Sequence, residues 1–114
     1  MHQVCRIDLR DGRADVEGLR KRVRMLADEL RSRYGASLVL LFGSLARGDI
    51  HEGSDIDLIV VGDIPGRFHE RPGQVLELTE LPVEPLCYTQ DEFALMLADE
   101  NPFILAALEE GVPV

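Results

Sequence analysis

Between residues 4 and 10 apolar and polar positions alternate, with Cys5, Ile7 and Leu9 set against Arg6, Asp8 and Arg10. A period of two predicts a strand with one wet face, closed by the turn signal Asp11-Gly12. An alternating strand at a terminus is a candidate sheet edge, which leaves self-association or pairing with another chain open. The period then lengthens. Behind a candidate N-cap at Asp15, the apolar positions Val16, Leu19, Val23, Leu26, Leu30 and Tyr34 recur at three-and-four spacing, and Gly35 offers a stop. That pattern predicts a helix to about Tyr34. Its other face carries Arg20, Lys21, Arg22, Arg24, Arg31 and Arg33, offset by Glu17 and Glu29 placed four residues ahead of Lys21 and Arg33. Such interleaving reads as a solvated face.

Residues 38–42 and 56–61 are uninterrupted apolar runs, as expected of strands covered on both faces. Between them lies a loop with glycines at 43, 48 and 53. Residues 66–79 are ambiguous, since Phe68, Val75 and Leu76 suit a helix that Pro72-Gly73 should break or restart. A short strand over 83–88 requires Pro85 to face an unpaired edge or a bulge. Thr89-Gln90-Asp91-Glu92 is a capping box ahead of Phe93, Met96 and Leu97, and Asn101-Pro102 supplies a cap and first-turn proline for a last helix ending at Gly111. Repeats, low-complexity tracts and linkers are absent. The order β, α, β, loop, β, α, β, α, α predicts an α/β (α+β) sandwich with a mixed sheet, as a single small domain over residues 1–114.

At 114 residues, the length allows one modest core and no separate substrate lobe. A net charge of −9 argues against broad electrostatic capture of nucleic acid, so an acidic chain that handles phosphates needs metal ions or locally placed arginines. Cys5 and Cys87 fit no metal spacing and read as free buried thiols of a reducing compartment. The N-terminal residues show no signal peptide, and no apolar stretch is long enough to span a bilayer. A soluble cytoplasmic protein is expected.

The chemistry concentrates in residues 43–58. Asp55 and Asp57 stand two residues apart at the mouth of an apolar strand, so both carboxylates project from one face. Held together they repel, unless a hard cation such as Mg²⁺ lies between them. Gly43-Ser44 immediately follows the preceding buried strand, and Leu45-Ala46-Arg47 suits the first turn of a short helix. Glycine permits close backbone approach, and Ser44 sets a hydroxyl beside exposed N–H groups, a corner suited to phosphate oxygens. A phosphate corner and a metal-binding acid pair on adjacent strands together describe a nucleoside triphosphate–metal site.

Gly-Ser, ten residues, then Asp-x-Asp, with Ala46-Arg47-Gly48 and Ser54-Asp55-Ile56-Asp57-Leu58 inside the run, resembles the signature of the DNA polymerase beta-like nucleotidyltransferase superfamily. Within it the short chain is similar to the minimal nucleotidyltransferases (MNT), antitoxin partners of HEPN-domain toxins. The weaker likeness extends over most of the chain, including Asn101-Pro102-Phe103 and Glu109-Glu110-Gly111-Val112. The resemblance implies that Gly43 and Ser44 hold the triphosphate of ATP, with Arg47 and Ser54 in the same nucleotide-binding group, and that Asp55 and Asp57 bind two Mg²⁺ ions. It also implies a third carboxylate on a neighbouring strand, normally aspartate. Glu84 occupies the matching position as catalytic base or metal ligand, with Glu80 as a weaker rival. Arg47 suits either a phosphate or an acidic partner, and His51 and His69 read as exposed structural residues.

The activity so implied is Mg²⁺-dependent transfer of AMP from ATP to a hydroxyl acceptor, a tyrosine of a HEPN-family toxin. An acidic surface favours such a protein partner over an RNA substrate, and neither nucleic acid nor a membrane is expected as a partner. The alternative is a catalytically weak or inactive module that neutralises its partner by complex formation, which the glutamate at 84 keeps open.

Overall fold

The computed structural model describes residues 14–43, 46 and 55–114. The strand expected at 4–10 and the Asp11-Gly12 turn lie outside these residues, as does Cys5. Helix α1 (Ala14–Tyr34) buries Leu19, Val23, Leu26, Ala27 and Leu30 along one stripe, as the periodicity predicts. Burying each large apolar side chain stabilises the fold by about 1.5–3 kcal/mol. Asp15 lies inside this helix rather than capping it. Gly35 ends the helix with φ 61°, its N–H donating to Arg31 O at 3.1 Å. On the outer face Arg33 meets Glu29 at 3.0 Å as expected, but Glu17 approaches Arg20, at 3.8 Å, instead of Lys21.

Strands β1 (Leu38–Phe42), β2 (Ile56–Val61), β3 (Val83–Tyr88) and β4 (Val112–Pro113) form one sheet in the order β3-β2-β1-β4. β1 runs antiparallel to β2 and β4, whereas β2 and β3 are parallel. The sheet is therefore mixed, and β3 is an outer strand, where a proline at 85 is tolerated. β4 was not apparent in the sequence. It is two residues long and is held by its pairing to β1, with Val114 N–H donating to Val39 O at 2.9 Å and Arg31 Nη1 to Val114 O at 2.8 Å.

A 3₁₀ turn (Phe68–Glu70) leads into helix α2 (Arg71–Leu76), in which Pro72 occupies the first turn. The proline thus starts a helix there and does not break one. Helices α3 (Gln90–Ala98) and α4 (Pro102–Glu110) begin at the expected caps. Thr89 Oγ1 accepts from Glu92 N at 3.1 Å while Glu92 Oε1 accepts from Thr89 N at 2.9 Å, and Asn101 Oδ1 accepts from the N–H groups of Phe103 and Ile104.

The sheet is covered on both faces. On one, α1 and α2 close over Val39, Leu41, Ile56, Leu58, Val60, Val83 and the buried free thiol Cys87. On the other, α3 and α4 close over Leu40, Ile59 and Val61 with Ile104 and Ala107. The arrangement is a small α+β fold with a mixed four-stranded sheet, matching the fold class expected. None of the described helices is long and apolar enough to cross a membrane.

One buried ionic junction ties several elements together. Arg71 is 7% exposed. Its Nε donates to Gly66 O at 3.0 Å, Nη1 to Cys87 O at 3.1 Å, and Nη1 and Nη2 to the Glu92 carboxylate at 2.6 and 3.3 Å. One guanidinium thereby fastens α2, the end of β3 and the first turn of α3.

Candidate active site

Strand register assembles the site. Phe42 on β1 pairs with Asp57 on β2, and Asp57 pairs with Glu84 on β3, so the three stand side by side. The next row inward, Leu40, Ile59 and Leu86, belongs to the core beneath α3 and α4. The carboxylates therefore terminate a hydrophobic sheet face where it meets solvent. Asp57 is half-buried; Asp55 and Glu84 are exposed.

The acids feel one another. The negative charge of Asp55 is the main cause that pushes the Glu84 carboxyl above its ordinary range, followed by partial desolvation, a hydrogen bond to Asp55 and the charge of Asp57. Asp55 and Asp57 accordingly lie on the same side of the sheet, and Glu84 completes a triad with them. Such crowding is relieved by a proton on Glu84 or by a cation among the three. All three donors are hard carboxylate oxygens, the set that suits Mg²⁺. Among the described residues no group of three or more histidine, cysteine, aspartate or glutamate side chains is placed to hold a metal ion, Asp55, Asp57 and Glu84 included.

Gly43 is built against this cluster. It follows the last residue of β1 with φ 75°. A Cβ placed on it would collide with Asp57 Oδ2 and lie 3.3 Å from Asp57 Cγ. The glycine corner and the acid pair, separate signals in the sequence, are thus in direct contact. We expect Gly43→Ala to cost about 1–2 kcal/mol from the left-handed backbone alone, and an alanine there also displaces the Asp57 carboxylate. Urea melts should register the destabilisation, and any activity of the site should fall more than tenfold, beyond what the loss of folded protein explains.

Of the other sequence-predicted residues, Ser44, Arg47 and Ser54 lie outside the described residues, as does His51. Ala46 is described: it is partly buried against the α1 face of the core, and Arg20 Nη2 donates to its carbonyl at 3.1 Å. This takes Arg20 out of the purely solvated face expected for it. His69 is exposed in the 3₁₀ turn, away from the acids. Glu80 precedes β3 and lines a groove with Arg22, Met25 and Glu29 of α1, so strand pairing favours Glu84 over it. What sequence reasoning missed is aromatic. Phe103, opening α4, packs edge-to-face on Phe42 with centroids 5.7 Å apart and planes at 80°. With Phe42, Pro85 and Leu86 it walls a cavity of about 340 Å³ whose lining, among the described residues, is completed by Asp57 and Glu84.

Comparison with known proteins places these features. Residues 23–105 match the model of the nucleotidyltransferase domain family. A provisionally named protein adenylyltransferase of Methanocaldococcus jannaschii is 44% identical over 46 residues, which are 39% of this chain and 46% of that protein. The match thus spans about half the length of that relative. The crystal structure of a provisionally named nucleotidyltransferase from Sulfolobus solfataricus shares the fold, with a TM-score of 0.54 at 24% identity over 82% of this chain and 76% of that one.

Proposed function

The chain belongs to the nucleotidyltransferase domain family, and from that premise we propose that it is a protein adenylyltransferase that moves AMP from ATP to a hydroxyl group of a partner protein. The observation that carries this reading is the triad of Asp55, Asp57 and Glu84 set against the Gly43 corner. The name of the Methanocaldococcus jannaschii relative supports the choice of AMP and of a protein acceptor. The resemblance to antitoxins that modify HEPN-domain toxins favours a tyrosine of such a toxin as the acceptor.

In this reading the backbone at Gly43 and the Ser44 hydroxyl hold the triphosphate, and Arg47 and Ser54 assist. Asp55, Asp57 and Glu84 would hold Mg²⁺. When bound, the metal lowers the pKa of the acceptor hydroxyl and offsets charge on the phosphates. The acceptor oxygen attacks the α-phosphorus in line, forming the new P–O bond. The bond to the bridging oxygen breaks, and pyrophosphate leaves with the electron pair. The Glu84 carboxylate takes the hydroxyl proton. Positioning by Gly43 and the half-buried Asp57 limits the motion the reacting groups retain.

The test incubates the chain with Mg²⁺, a purified HEPN-domain protein and ATP labelled at either the α- or the γ-phosphate. Label should reach the partner from the α-position and not from the γ-position. Label from the γ-position, or none on either protein, overturns the proposal.

A further inference from the structure

We propose that the cavity beside the acids is the acceptor subsite and that Phe103 is its specificity-determining wall, admitting a flat, uncharged, hydroxyl-bearing group. The inference rests on the nucleotidyl-transfer reading above and adds where the second substrate docks. The cavity, about 340 Å³, is the size of a small-molecule pocket. Four of its six described lining residues are apolar (Phe42, Pro85, Leu86 and Phe103), and the other two are Asp57 and Glu84.

That composition selects among the ligands a nucleotidyltransferase handles. A nucleobase presents several donors and acceptors at its edge, more than two carboxyl groups beside a proline without a backbone N–H can match. A hydroxyl on an apolar body satisfies both ends. The body lies against Phe103 and Leu86, and the hydroxyl donates to Glu84, the group that would take its proton.

Phe103 is equipped to act as a wall. It is 44% exposed although its ring is fixed edge-on against Phe42. Its backbone N–H donates to Asn101 Oδ1 at 2.9 Å, and its neighbour Ile104 is fully buried, so the first turn of α4 is anchored on both sides of it. An aromatic side chain held in place but left uncovered presents a preformed stacking surface.

The test titrates the metal-free protein with 4-methylphenol, adenosine and glycerol, following the resonances of Phe103, Leu86 and Phe42. 4-Methylphenol should shift all three, while adenosine and glycerol should not. Phe103→Ala should weaken that binding at least fivefold, and Phe103→Leu should restore part of it. In the transfer assay, Phe103→Ala should raise KM for the acceptor about tenfold and leave KM for ATP within twofold. Adenosine moving these resonances in place of 4-methylphenol, or a rise confined to KM for ATP, assigns the cavity to the base and overturns the inference. Absence of transfer by the unaltered chain overturns the parent reading, whereas resonances unmoved by 4-methylphenol overturn only this one.

Discussion

Asp57→Asn should abolish nucleotidyl transfer, lowering kcat/KM by about 10²–10³-fold or more, and leave the fold as stable as before. The substitution nearly preserves shape, so Phe42, Glu84 and the Gly43 backbone keep their neighbour. It removes one of the charges that crowd Glu84. A binding site for cations and phosphates stores such repulsion in the free protein, and relieving it commonly raises stability as activity is lost. The expected signature is therefore a thermal midpoint unchanged or raised, beside a transfer rate at background. Asp55→Asn should behave likewise. Full activity in the Asp57 variant would move the chemistry elsewhere on the molecule.

The largest loss of stability should come from Arg71→Met, far from the acids. The substitution removes the charge-assisted pair with Glu92 and the hydrogen bonds to Gly66 and Cys87 carbonyls. Breaking a buried network of this kind costs about 2–4 kcal/mol, at the lower end of the range for buried pairs because Glu92 is partly solvated. The thermal midpoint should fall by on the order of 10 °C or more. The effect is pH-dependent. The hydrogen bond from Arg71, then the backbone N–H of Thr89, hold the Glu92 carboxyl below its ordinary range. A depressed carboxyl stabilises the fold at pH values above the unfolded pKa of about 4.3, and that contribution fades as pH falls through the folded value. Urea melts of both proteins should show a wide gap at pH 7 that narrows between about pH 4 and 3. A gap constant down to pH 3 would show that Arg71 acts through shape alone.

The contrast between these two residues explains what was legible in the sequence. Asp57 stands in a short local pattern, and its chemistry follows from spacing along one strand. Arg71 gives no such signal, because two of its three partners, Cys87 and Glu92, lie 16 and 21 residues away and only the fold brings them together. The same division runs through the architecture. α3 and α4 were readable from the Thr89–Glu92 box and from Asn101-Pro102, whose hydrogen bonds span two or three residues. β1 and β2 were readable as continuous apolar runs. β4 was not, since two residues carry no period and their partner strand lies some seventy positions earlier. Pro72 left two readings open, a break or a restart, and the structure takes the second, since a proline fits the first turn of a helix. Within the site, Glu84 was chosen over Glu80 by resemblance, and the parallel register with Asp57 supplies the physical reason. Phe103 escaped notice because an aromatic at the start of an amphipathic helix reads as ordinary core.

Cys87 lies under α1 and α2, and burial pushes its thiol up to about 12. At pH 8 the reactive thiolate is then on the order of 10⁻⁴ of the population, and the sulfur is sealed from reagents besides. With Cys5 replaced by serine, alkylation by iodoacetamide becomes a clock for opening of the molecule, ticking only when the sheet and its covering helices part. The one remaining thiol thus offers a gauge of conformational breathing, and one positioned to register at once any slackening of the neighbouring guanidinium clamp.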